Sequence, residues 1–97
     1  MQKTIAIIGA GLIGRSWAMV YARIGHEVAL YDAFPEALDK SMLLLDDNLA
    51  DLEANGLIDG ASAVRSRIHR ADTLEAALEG ASWVQENALE RLEVKRD

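Results

Sequence analysis

Thr4-Ile-Ala-Ile-Ile-Gly-Ala-Gly-Leu-Ile-Gly14, with Asp32 eighteen residues further on, decides how the rest of this chain is read. Its first five residues form a continuous apolar run rich in β-branched side chains, as in a strand buried on both faces of a parallel sheet. Gly9, Gly11 and Gly14 then fall in the pattern G-x-G-x-x-G. Each glycine has a separate physical reason. Gly9 permits a tight turn, Gly11 lets the backbone approach a pyrophosphate, and Gly14 lets the next helix pack close to the strand. A helix starting there turns free N–H groups and the positive end of its dipole toward the loop, which favours phosphate. The glycines alone are a weak signal. A strand before them, a helix after them and an acid ending a second strand make it a strong one.

Working outward, Ile13, Trp17, Val20, Tyr21 and Ile24 recur at helical spacing, and Gly25 stands where a left-handed cap ends a helix. Glu27-Val-Ala-Leu-Tyr31 reads as a second strand ending at Asp32. A carboxylate there accepts hydrogen bonds from the adenosine ribose hydroxyls and repels a 2′-phosphate. The next residue is Ala33 rather than an arginine, so the pattern implies NAD in preference to NADP. The competing local reading makes Asp32 only a cap for the helix that starts at Pro35.

Pro35 suits a first helical turn. Leu38, Met42, Leu45, Leu49 and Leu52 make one apolar stripe along a long helix ended by Asn55-Gly56, while Glu36, Asp39, Asp46, Asp47, Asp51 and Glu53 form an acidic opposite face. After the Asp59-Gly60 turn, Ala61 to Arg67 suggests one or two helical turns and Ile68 to Ala71 a short strand. Asp72 with Glu75 resembles a capping box for a brief helix through Leu78. Ser82 to Asn87 is a further strand, and something helical begins at Leu89. Strands alternating with helices imply right-handed crossovers and a parallel sheet. The expected fold is therefore α/β, a Rossmann doubly wound parallel sheet, in its N-terminal portion with a long helix after the second strand. Residues 1–97 form one incomplete domain on this reading.

Composition narrows the partners. The 97 residues are 51% apolar and carry a formal charge of −6. That charge argues against nucleic acid, which needs a clustered basic face; only Arg65 to Arg70 is locally basic. No apolar run approaches the ~20 residues of a membrane span, and no signal-peptide pattern is present. Absence of cysteine excludes a disulfide framework, a zinc thiolate site and a cysteine nucleophile, and fits a cytoplasmic setting. No metal site is indicated. His26, in the turn before the second strand, and His69, in or beside an edge strand, suit structural roles rather than catalysis.

Three stretches resemble the 3-hydroxyacyl-CoA dehydrogenase family: Ile8-Gly-Ala-Gly-Leu-Ile-Gly-Arg-Ser-Trp-Ala-Met19, Tyr31-Asp32, and Trp83-Val-Gln-Glu-Asn-Ala-Leu-Glu-Arg-Leu-Glu-Val-Lys95. The resemblance implies dinucleotide contacts at Leu12, Ile13 and Asp32, with two more at Glu90 and Lys95. Read without the family, Glu90 and Lys95 are an ordinary surface pair. It further implies an oxidoreductase of fatty acid metabolism, passing a hydride between NAD and the 3-hydroxy group of a small-molecule hydroxy acid or an acyl-CoA substrate. A homodimer is implied for the full-length protein, with no nucleic acid and no membrane partner. The family's catalytic serine, histidine–glutamate pair and asparagine align beyond Asp97, so no catalytic residue is expected within this chain and turnover is not expected from it alone. Coenzyme A users of the family carry lysines on the long helix, where this chain has Asp46, Asp47, Asn48, Asp51 and Asn55. That substitution favours a small polar hydroxy acid, although a solvated acidic face is also the ordinary state of a surface helix. The alternatives left open are a stand-alone NAD-binding or regulatory module, a structural module without catalysis, and a flavoprotein.

Overall fold

Four strands, β1 (Thr4–Ile8), β2 (Glu27–Tyr31), β3 (Ile68–Arg70) and β4 (Trp83–Glu86), run parallel in the order β3-β2-β1-β4 in the computed structural model, which describes residues 3–87. Between them lie α1 (Leu12–Ile24), α2 (Pro35–Ala54), α3 (Ala61–Ser66) and α4 (Leu74–Leu78). The helix expected from Leu89, with Glu90 and Lys95, lies outside the described residues. Ile5, Ala6 and Ile7 are almost wholly buried, as the unbroken apolar run requires of a central parallel strand. Ile8 pairs with Tyr31 on one side and Glu86 on the other, so β1, β2 and β4 end at one level. The chain leaves β1 toward β2 and β3 and later returns to the opposite side of β1 to form β4. This reversal of strand order is where open α/β sheets bind ligands.

α2 follows its apolar pattern. Leu38, Leu45 and Leu49 are buried and Met42 and Leu52 pack against the same core, which also holds Val28, Leu30 and Ile68. α1 does not follow its pattern. Its buried residues are Gly14, Ala18 and Ala22, whereas Ile13, Trp17, Val20 and Ile24 are 57%, 42%, 41% and 66% exposed. Of the large apolar stripe only Tyr21 packs against the core, its hydroxyl lying 3.2 Å from Gln85 Oε1. The small residues allow α1 to lie close to the strands, and the bulky ones are left on its outer side.

Two local expectations are corrected. The cap of α4 is Thr73 rather than Asp72, because the Thr73 hydroxyl accepts the Ala76 N–H at 3.0 Å. Asp72 instead accepts from Arg70 Nε at 2.7 Å. β3 ends at Arg70, one residue earlier than expected, and Ala71 N–H donates to the Leu30 carbonyl at 2.9 Å.

Candidate functional site

The glycine loop fills the space above the carboxyl end of β1. Gly9 takes φ 100°, a left-handed conformation that an L side chain rarely adopts, and its N–H donates to the Tyr31 carbonyl at 2.8 Å. A Cβ on Gly14 would stand 1.9 Å from the Gly9 carbonyl oxygen, well inside contact distance. Gly14 is therefore the condition for α1 to begin directly against the loop.

Gly11 is the N-cap of α1 and supplies no side-chain cap, and the first turn contains no acid. The first completed helical bond runs from Arg15 N–H to the Gly11 carbonyl at 2.9 Å. The N–H groups of Leu12, Ile13 and Gly14 thus belong to the unbonded set that begins every α-helix, with the dipole behind them. α4 differs at the same place, since Thr73 fills its cap with an oxygen. The start of α1 is left open to an anion from outside.

Asp32 lies at the end of β2, 5% exposed. Its Oδ2 accepts the Ala10 N–H at 2.8 Å and its Oδ1 accepts the Phe34 N–H at 2.9 Å. One carboxylate therefore ties the glycine loop to the loop that follows β2. Two charge-assisted bonds of this kind offset the cost of burying a carboxylate. A carboxylate accepts up to about four hydrogen bonds, so holding both loops is compatible with receiving ribose hydroxyls. Asp32 is not the N-cap of α2; that position belongs to Phe34, which makes no side-chain cap.

The structure brings Gly9, Gly11, Leu12, Ile13, Gly14 and Asp32 to one end of the sheet. Leu12 and Ile13 are 68% and 57% exposed at its rim. Three further residues join them that spacing did not single out. Ala10 is the donor to Asp32; Asn87 holds the loop through its N–H to the Ile8 carbonyl at 2.8 Å and its side-chain amide to the Gly9 carbonyl at 3.4 Å. Phe34 stands beside the acid and is 65% exposed. Asn87 carries no spacing signal because its contact spans 78 residues of sequence.

The histidines are elsewhere. His26 Nδ1 accepts the Lys3 N–H at 3.1 Å, and His69 Nε2 lies 2.5 Å from Glu27 Oε1. The cations of the locally basic run are engaged within the fold: Arg65 pairs with Asp46 at 2.5 Å, Arg67 donates to the Ala22 carbonyl at 2.9 Å, and Arg70 pairs with both Asp72 and Asp39. Hydrogen bonds to Asp72 and then Asp39 raise the Arg70 pKa above its ordinary value. A groove of about 600 Å³ between α2 and β3 is lined by these paired charges, so its cations are already committed to its own acids. Among the described residues no group of His, Cys, Asp and Glu could hold a metal ion, and no helix is long and apolar enough to cross a membrane.

Comparison with known proteins agrees with this geometry. The profile of the 3-hydroxyacyl-CoA dehydrogenase NAD binding domain matches residues 4–97. A lambda-crystallin homolog from Bos taurus is 40% identical over 95% of this chain and 30% of its own length. An L-carnitine dehydrogenase from Streptomyces coelicolor is 38% identical over 98% of this chain and 29% of its own length. The crystal structure of (S)-3-hydroxybutyryl-CoA dehydrogenase from Ralstonia eutropha superposes with a TM-score of 0.83 at 26% identity, covering 97% of this chain and 34% of that one. The chain thus spans about 30% of the length of the curated relatives it matches.

Proposed function

This chain belongs to the 3-hydroxyacyl-CoA dehydrogenase family through its NAD-binding domain, and from that premise we propose that it holds NAD across the carboxyl ends of β1 and β2 for hydride transfer at the 3-hydroxy carbon of a substrate. Gly9, Gly11 and Gly14 shape the phosphate cradle, the N–H groups of Leu12 and Ile13 donate to the pyrophosphate, and Asp32 accepts from the adenosine ribose. The family resemblance adds dinucleotide contacts at Glu90 and Lys95, which lie outside the described residues. Bound NAD supplies the hydride chemistry, and these residues supply binding and orientation.

The observation that carries the reading is the buried Asp32 carboxylate joining the glycine loop to the end of β2, next to the uncapped start of α1. On the substrate, the acidic outer face of α2 favours a small polar hydroxy acid over an acyl-CoA, whose phosphates Asp47 and Asp51 would repel. The L-carnitine dehydrogenase relative supports that choice. His26 lies at the amino end of β2 and His69 on the edge strand β3, away from the carboxyl ends of β1 and β2, so the base that takes the hydroxyl proton comes from neither. The 97-residue chain should bind NAD without oxidising a hydroxy acid.

Calorimetric titration tests the assignment. NAD should bind more tightly than NADP. Asp32→Ala should weaken NAD about tenfold or more, the scale of losing hydrogen bonds to a charged group. Asp32→Asn keeps an acceptor for only one of the two backbone N–H groups and sets its NH2 against the other, but it removes the charge, and should narrow the NAD/NADP gap. Equal affinity for both cofactors in the unmutated chain would overturn the role given to Asp32.

A further inference from the structure

We infer that the ring of Phe34 is the platform on which the purine base of the dinucleotide stacks, an inference that rests on the NAD reading above. Position supplies the first reason. Phe34 follows Asp32 by two residues at the carboxyl end of β2, so a base attached to a ribose held by Asp32 emerges beside it.

The second reason is local chemistry. Phe34 is the N-cap of α2, a position that favours Ser, Thr, Asp or Asn because their oxygens satisfy the first N–H groups. Phenylalanine supplies no such oxygen, and no side-chain cap is made. A residue that breaks the local rule without serving the core points to a role outside folding. Phe34 does not serve the core, since the residue is 65% exposed.

The third reason is rigidity. The Phe34 N–H is held by Asp32 Oδ1 at 2.9 Å, its carbonyl accepts from Ala37 and Leu38 at 3.0 and 3.1 Å, and Pro35 fixes the next φ. The backbone carrying the ring is thereby set before any ligand arrives. A flat apolar face presented this way suits a purine, whose base stacks on aromatic side chains. A phosphate gains nothing from it.

The test compares NAD with nicotinamide cytosine dinucleotide, which keeps both riboses and the pyrophosphate but carries a smaller base. The unmutated chain should prefer NAD about tenfold, and Phe34→Ala should bring the two ligands close to parity, mainly by weakening NAD. Phe34→Leu keeps an apolar residue without a flat face and should behave like the alanine variant. Phe34→Trp should retain the preference and show added quenching of indole fluorescence on NAD binding. An unchanged NAD/cytosine ratio in a folded Phe34→Ala or Phe34→Leu chain would overturn the platform, as would equal weakening of both ligands. Those failures leave NAD binding by the unmutated chain intact. Loss of the parent reading looks different: the unmutated chain would bind neither dinucleotide.

Discussion

α1 and α2 follow successive strands of the same sheet and solve opposite problems. α2 buries Leu38, Leu45 and Leu49 and stands off the strands on those side chains. α1 buries Gly14, Ala18 and Ala22 and has almost nothing between its backbone and the layer beneath. Distance between packed elements follows the side chains at the contact, so α1 lies nearer. Nearness is what the site needs, because the first turn of α1 must abut the glycine loop for its N–H groups to reach a ligand. α2 needs only to cover the sheet. One helix is built for approach and the other for burial.

Gly14→Ala should break the contrast most severely. The new Cβ would lie 1.9 Å from the Gly9 carbonyl oxygen, so α1 or the loop must move. Backbone displacement of that kind costs up to about 3 kcal/mol, and here it falls on the turn proposed to hold the pyrophosphate. NAD affinity measured by calorimetry should drop about 100-fold, the equivalent of that cost. Affinity retained within about threefold would mean that α1 withdraws harmlessly, and close approach would lose its functional meaning.

Leu45→Ala sharpens the other half. Leu45 is fully buried, and truncating such a leucine costs about 3 kcal/mol through lost burial and the cavity left behind. The urea midpoint should fall accordingly, while NAD affinity of the folded fraction stays within about threefold. A parallel collapse of NAD affinity would show that α2 also positions the site.

The same contrast explains what was legible in the sequence. β1, the glycine loop and α2 announce themselves because large apolar side chains and obligatory glycines sit where they act. α1 misleads because its core face consists of small residues, while Trp17, Val20 and Ile24 repeat at helical spacing on the outside. Hydrophobic periodicity weighs bulk and cannot register a face selected for thinness. Asp32 was legible as the acid that ends the second strand but not as the strut joining two loops, since its bond to Ala10 spans 22 residues of sequence. Asn87 was illegible for the same reason. The Thr73 cap was displaced to Asp72 by one residue, within the usual uncertainty of helix ends.

The smallest expected effect concerns Ser41, on the buried stripe of α2 between Leu38 and Leu45. It is 1% exposed, and its Oγ has no hydrogen-bond partner among the described residues. A buried hydroxyl left unbonded costs about 1 kcal/mol or more, and serine is also a weaker helix former than alanine. Removing one oxygen leaves little cavity to oppose these gains. Ser41→Ala should therefore stabilise the chain by about 1 kcal/mol, a rise of roughly 4–8 °C in Tm for a domain of this size. NAD affinity should not change, because the substitution touches neither loop. A fall in Tm would mean that the hydroxyl holds a polar partner in solution, and α2 would then carry more than burial on its inner face.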